Sequence, residues 1–267
     1  MIYNYARKEY QGMKLLEHNR IAWNHEVKIG NRWTIPVSDE QIQEAKKGLI
    51  KIVLTPFKVV PKEWLGDIVN KNVLCLASGG GQQGPILAAA GSNVTVFDNS
   101  DKQLEQDDKT ALNYHLKIKT IKGNMQDLSI FSDNYFDLII HPVSNCFIDD
   151  IKPVWREAYR VLKKNGKLLS GFINPIVYMI NWDRAEKEKK CLIENTIPYS
   201  DLKSFSNAKK KEYIENMEPF EFGHSLTDQI NGQIEAGFII SGFYEDKGEE
   251  LLDKFTSTFI VTKAEKK

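Results

Sequence analysis

Val73-Leu74-Cys75-Leu76-Ala77-Ser78-Gly79-Gly80-Gly81-Gln82-Gln83-Gly84 runs from five apolar or small residues into a glycine turn, and Pro85-Ile86-Leu87-Ala88-Ala89-Ala90 follows as a helix-forming tail. A short apolar run bounded by glycines predicts a buried strand, so the order is strand, turn, helix. Glycines allow the sharp turn and let a ligand approach main-chain atoms that a Cβ would shield, while the helix presents its positive end to the same place. The next apolar run, Val94-Thr95-Val96-Phe97, ends in Asp98. That position is where the carboxyl ends of strands line a ligand crevice, and a carboxylate there can accept hydrogen bonds from both hydroxyls of a ribose. Gly79-x-Gly81-x-x-Gly84 with an acid downstream also satisfies the dinucleotide fingerprint, so the turn alone leaves a nicotinamide enzyme open.

Outward from this turn, β-branched runs alternate with helical patterns. Strands are predicted at 72–77, 93–98, 117–122, 136–141 and 166–173, and helices near 83–90, 100–115 and 151–163. Such alternation means a parallel sheet covered on both faces. A helix near 225–236 ending at Gly237 precedes two further strands, Phe238 to Tyr244 and Thr256 to Val261, whose short connection Glu245 to Asp253 predicts an antiparallel hairpin. The expected fold class is α/β: a Rossmann-like, seven-stranded, mostly parallel sheet with a terminal antiparallel hairpin, helices on both faces, an N-terminal helical arm and an inserted cap.

The rest of the chain is placed around that core. Residues 1–60 form an arm that packs on the body, judged from Tyr3, Tyr5, Tyr10, Trp23 and Trp33; its Ser38 and Gln41 make a capping box ahead of Ile42, Ala45 and Leu49. Residues 61–174 form the cofactor-binding core, opening with Pro61 at the start of a helix carrying Trp64, Leu65, Ile68 and Val69. Residues 175–222 break the rhythm with a lysine-rich helix and scattered aromatics and are read as the cap, and 223–267 complete the core.

Composition bounds the function. Lys and Arg number 36 and Asp and Glu 36, so no global field draws the chain to nucleic acid or an anionic membrane; the expected partner is a small molecule, with no nucleic acid and no membrane. No signal core or membrane-length apolar run is present, and a cytoplasmic monomer or homodimer is expected. Cys75, Cys146 and Cys191 are odd in number and widely spaced, which predicts reduced thiols and no metal site.

Three segments resolve the ambiguity of the glycine turn: Gly123-Asn124-Met125-Gln126-Asp127-Leu128, Asp133-Asn134-Tyr135-Phe136-Asp137-Leu138-Ile139-Ile140, and Trp155-Arg156-Glu157-Ala158-Tyr159-Arg160-Val161-Leu162-Lys163-Lys164-Asn165-Gly166. With the terminal hairpin, they make the chain resemble class I S-adenosylmethionine-dependent methyltransferases of the small-molecule type, related to the ubiquinone-biosynthesis methyltransferase group. The resemblance implies methyl transfer from S-adenosyl-L-methionine, with S-adenosyl-L-homocysteine as product. It also implies a cofactor shell of Ala77, Ser78, Gly79, Gly80, Gly81, Asp98, Asn99, Asn124, Met125, Gln126, His141 and Asn145, with Asn124 and the Met125 backbone at the adenine. The family carries an acid where Cys75 stands and a glycine where Ala77 stands, so the methionine end is expected to be met by backbone carbonyls, water or Asn145.

On the acceptor side, His141 at the end of the fourth strand is the candidate general base. Its competing reading is a packed strand-end residue bonded to backbone. Tyr178, Trp182, Tyr199, Phe220 and His224 are the candidate substrate pocket, against a reading in which they build the cap's own core. Arg156, Glu157 and Arg160 read as surface ion pairs and Lys187 to Lys190 as a solvated face. Two other functions remain as alternatives: a non-catalytic S-adenosylmethionine-binding protein, left open by Cys75 and Ala77, and a nucleic-acid methyltransferase. The second is disfavoured because His141-Pro142-Val143-Ser144 is not the Asn/Asp-Pro-Pro-aromatic segment of base amino-methylation.

Overall fold

The structure is a computed structural model that describes residues 15–267, so Tyr3, Tyr5 and Tyr10 lie outside the described residues. Its centre is a sheet of β1 (Asn72–Leu76), β2 (Asn93–Asp98), β3 (Ile118–Lys122), β4 (Phe136–His141) and β5 (Leu162–Ile173). Two short strands, β6 (Tyr199–Ser200) and β7 (Phe222–Gly223), pair with each other in a separate sheet, and β8 (Ile239–Asp246) and β9 (Phe259–Glu265) complete the large one. The large sheet has seven strands in the order β3-β2-β1-β4-β5-β9-β8. The first five are parallel, and β9 runs antiparallel to both β5 and β8. This is the Rossmann-like, mostly parallel sheet with an antiparallel pair that the residue pattern predicts.

β1 shows why the core forms. Its side chains alternate, so Val73 and Cys75 join Leu87, Val96 and Leu104 on one face while Leu74 and Leu76 join Phe97, Ile139 and Trp155 on the other. Both faces are fully covered, which accounts for the uninterrupted apolar run. The strand order reverses between β2 and β4 on either side of β1, and the crevice of an open α/β sheet lies at the carboxyl ends of strands at such a switch.

Several boundaries shift from the sequence reading. β5 begins at Leu162 rather than 166, directly after helix Lys152–Val161, because the Lys163–Gly166 turn remains paired: the sheet register jumps between Phe136 and Leu138, and the Asn165 amide donates to Lys266 O at 2.6 Å. β9 spans Phe259–Glu265 rather than 256–261; Thr262 and Ala264 are buried and Lys263 pairs with Glu265 at 2.8 Å, so a tail that looks polar is interior strand. The helix near 225–236 opens as a π-helical turn, Thr227–Asn231, before the α-turn Gly232–Glu235. Trp155 explains this: its indole Nε1 donates to Asp228 O at 2.9 Å, and a Cβ on Gly232 would lie 2.8 Å from its ring.

The capping box at Ser38 is present, with Ile42 and Ala45 buried beneath helix Asp39–Lys46, although Leu49 is exposed beyond the helix end. Helix Lys62–Leu65 after Pro61 is a single turn, and Val69 is exposed. Helix Leu15–Ile29 ties the arm to both sides of the crevice: Asn19 Nδ2 donates to Phe147 O and Phe220 O, and Asn24 Oδ1 accepts from Ser100. No described helix is long and apolar enough to cross a membrane.

Candidate functional site

The turn after β1 is built around Asp98. One carboxylate oxygen accepts the Gly79 amide at 2.9 Å and the other the Ser100 amide at 2.8 Å. Burial raises its pKa and the backbone amides oppose the rise. Gly79 must be glycine, because a Cβ there would lie 2.6 Å from Gln103 Cβ and 3.1 Å from Asp98 Cγ. Ala77, where the family carries glycine, sits at φ 46°, a left-handed conformation that alanine adopts at some cost, so the departure changes the residue and keeps the turn.

A second acid lies beneath the turn and has no place in the sequence reading. Asp107, on helix Asp101–Tyr114, accepts the Gly80 amide at 2.9 Å and lies near the Gly81 amide. Its other oxygen has no partner among the described residues. Burial above all, then the charge of Asp98, pushes its pKa up to about 8. Asp107 reaches the glycines from beneath and does not line the cavity, while Cys75 is a buried thiol whose pKa burial raises well above its ordinary value. The available signal was Gln103, Asp107 and Thr110, polar residues on the buried face of an amphipathic helix.

A cavity of about 960 Å³ opens at this turn. Of the predicted cofactor shell, Ala77, Ser78, Gly79, Asp98, Asn99, Asn124 and Met125 line it; of the predicted substrate pocket, Tyr178, Trp182 and Tyr199 do. The structure brings these ten together. It does not place Gly80, Gly81, Gln126, His141, Asn145, Phe220 or His224 on the wall. Gly80 and Gly81 face Asp107, Gln126 Nε2 donates to Asp150 O at 2.7 Å, and Phe220 is buried against His18 and Tyr213. Residues that sequence reasoning missed include Trp23 and Phe147, in edge-to-face contact at 5.0 Å, and Tyr213, Asp201 and Glu221 from the 175–222 segment.

The histidine expectation is corrected by this geometry. His141 is fully buried; Nδ1 lies 2.9 Å from Leu76 O and Nε2 2.7 Å from Asn145 Oδ1, so both ring nitrogens are engaged. Burial lowers its pKa, and Trp155 packs edge-on at 6.0 Å. It joins the ends of β1 and β4 and lies off the wall of the cavity, out of reach of an acceptor's proton. Asn145 is spent likewise, its Nδ2 donating to Gln229, and His224 Nε2 bonds the carbonyls of Asn145 and Ile148. His141→Ala is therefore expected to cost about 1–3 kcal/mol through the unpaired Leu76 carbonyl and Asn145 amide, a fall in melting temperature of roughly 2–12 °C. It should leave S-adenosylhomocysteine affinity unchanged by calorimetry; a large affinity loss without destabilisation would return the residue to the ligand shell.

Arg160 is more than a surface partner. It donates to the carbonyls of Leu128 and Phe131 and pairs with Glu157 at 2.7 Å, while Glu157 accepts the Leu128 amide, so the pair clamps the segment that follows Met125. Arg156 is exposed.

Comparison with known proteins agrees with the geometry. The methyltransferase domain family matches residues 74–170. An uncharacterized methyltransferase, YbaJ of Bacillus subtilis, is 52% identical over 252 residues, covering 94% of this chain and 98% of its own. The ubiquinone/menaquinone biosynthesis C-methyltransferase UbiE of Rickettsia prowazekii is 34% identical over 109 residues, 38% of this chain and 44% of its own. Among solved structures, an S-adenosylmethionine-dependent methyltransferase from Mesorhizobium loti superposes with a TM-score of 0.58 at 15% identity, over 77% of this chain and 95% of that one. Sequence kinship over nearly the whole length, the strand order and the acid-anchored glycine turn lead to one conclusion: the chain belongs to the class I S-adenosylmethionine-dependent methyltransferases.

Proposed function

We propose that the protein methylates a small molecule held in the same cavity as the cofactor. The observation that carries this reading is the continuity of the wall: Gly79, Asp98 and Asn124 line one cavity with Tyr178, Trp182 and Tyr199 of the 175–222 segment, which acts as the acceptor cap. Its volume of about 960 Å³ is at the upper end of small-ligand pockets.

The residues present fit S-adenosylmethionine. Asp98 is a carboxylate fixed by two backbone amides at the end of β2, with lone pairs to spare for ribose hydroxyls. Asn99, Asn124 and Met125 border it for the remainder of the nucleoside, and the main chain of Ala77, Ser78 and Gly79 would meet the methionine moiety. The bound cofactor supplies an electrophilic methyl group on a sulfonium. The chain's work is to hold the acceptor in line and to exclude water. Trp23 and Phe147 at one side and the cap aromatics at the other supply the apolar wall for this.

The reading is tested by incubating the full chain with radiolabelled S-adenosylmethionine and, separately, a macromolecule-free metabolite extract and total nucleic acid. Label is expected in the small-molecule fraction only. Label in nucleic acid would replace the acceptor class, and cofactor binding without turnover in any fraction would favour a non-catalytic binding protein.

A further inference from the structure

The acceptor half of the cavity has a definite chemistry. Asp201, 5% exposed, and Glu221 stand together on the wall: Asp201 accepts the Glu221 amide at 2.7 Å, and the Tyr178 hydroxyl donates to Glu221 at 2.7 Å. Tyr199 neighbours Asp201 and stacks on Tyr178 at 5.5 Å, and Tyr213 lines the same region. Glu221 is half-buried and lines this cavity. Among the described residues neither carboxylate forms an ion pair.

The bias extends to the whole cavity. Its acidic residues are Glu26, Asp98, Asp183, Asp201, Glu218 and Glu221, and its basic ones Arg20 and Lys209, in a chain whose formal charge is zero. Arg20 is bound by Glu17 and Asp101. Lys209 pairs with Asp183 at 3.2 Å and lies over the Tyr213 ring at 5.4 Å, so its charge reaches Asp201 only at a distance.

We propose that the methyl acceptor is a cationic amine, its ammonium group received by Glu221 and Asp201 within the wall formed by Tyr178, Tyr199 and Tyr213, and that Glu221 takes the proton the amine must lose. This deepens the small-molecule methyl-transfer reading and rests on it. Buried carboxylates without a cation are costly, and tyrosine faces attract a cation in a desolvated site; an anion or a neutral hydroxyl would leave that cost in place. Burial pushes Glu221 up to about 7, with Tyr178 opposing and Asp201 adding to the rise, and Asp201 up to about 6; an ammonium group would draw both back toward the ionised form.

The chemistry balances. One N–H proton of the ammonium passes to the Glu221 carboxylate, freeing the nitrogen lone pair. That pair forms the new N–C bond as the methyl–sulfur bond breaks, with its electron pair leaving on sulfur. The product is the methylated ammonium ion and the thioether S-adenosylhomocysteine, and the proton on Glu221 returns to solvent.

The test is calorimetry and thermal shift on the full chain saturated with S-adenosylhomocysteine, using matched sets of arylalkyl and alkyl amines with their alcohols and carboxylates, phenethylamine, phenethyl alcohol and hydrocinnamate among them. Amines are expected to bind and their neutral and anionic counterparts to bind about tenfold more weakly or not at all. Glu221→Gln, which keeps the Tyr178 contact, and Asp201→Asn should each lower amine affinity about tenfold, with S-adenosylhomocysteine binding in the same variants reporting that the cofactor half is intact. Equal affinity for alcohols or carboxylates, unchanged amine affinity in both variants, or no amine binding while S-adenosylhomocysteine binds would overturn the proposal and leave small-molecule methylation standing. Failure of the chain to bind S-adenosylhomocysteine would instead remove the reading on which it rests.

Discussion

Asp98→Ala is expected to weaken S-adenosylhomocysteine binding by roughly 10- to 150-fold, the equivalent of about 1.5–3 kcal/mol for charge-assisted hydrogen bonds to a ribose. The same carboxylate also anchors the turn, since it takes the amides of Gly79 and Ser100. Part of the loss is therefore disorder in the glycine loop, and Asp98→Asn separates the two effects: it keeps one acceptor for a loop amide but removes the charge. Calorimetry on the three proteins should rank them wild type, Asn, Ala. An alanine variant that binds like wild type would show that the ribose is held elsewhere.

Asp107→Asn is expected to raise stability at pH 8 and to leave it almost unchanged at pH 4. The folded pKa of Asp107, about 8, lies far above the roughly 4 of an unfolded aspartate. A raised carboxyl stabilises the fold fully below pH 4, where both states are protonated. That contribution is lost progressively as pH rises toward 8, because the unfolded chain ionises and the folded one does not. The accumulated penalty by pH 8 is about 3–5 kcal/mol, and asparagine, which retains an acceptor for Gly80, does not incur it. Facing Asp107 are the amides of Gly80 and Gly81 and the charges of Asp98 and Asp108, all of which remain in the variant. Asp201 and Glu221 titrate in the same sense in both proteins, so the difference between their melting curves isolates Asp107. A melting-temperature gain of at least about 5 °C at pH 8 is the predicted result, and parallel pH profiles would contradict it.

The fold was legible where one physical requirement governs a contiguous stretch. β1 is covered on both faces, so it must be apolar throughout, and the turn that follows must admit Asp98 and Gln103 against Gly79, so it must be glycine. Legibility fails where the requirement is tertiary. Thr262 to Glu265 look like a polar tail because their burial between β5 and β8, and the Lys263–Glu265 pairing, are visible only after the sheet assembles. Asp107, Asp201 and Glu221 are unremarkable acids in the sequence, and what distinguishes them is the burial that raises their pKa values.

The site divides along the same line. The segments Ala77–Gly79, Asp98–Asn99 and Asn124–Met125 follow strand ends, so topology alone carries them to one rim. His141 also ends a strand, yet its parity with Ile139 turns it under Trp155 and away from the cavity. Residues 175–224 carry no such periodicity, and of the five named from sequence Tyr178, Trp182 and Tyr199 reach the wall while Phe220 and His224 are buried off it.

The claim on which the rest depends is that one cavity holds cofactor and acceptor together, and a crystal structure with S-adenosylhomocysteine tests it most directly. The predicted result has the ribose hydroxyls within hydrogen-bond distance of Asp98 and the sulfur facing the space bounded by Tyr178, Tyr199 and Glu221. A nucleoside bound away from Asp98, or a sulfur turned from the tyrosines toward solvent, would contradict it.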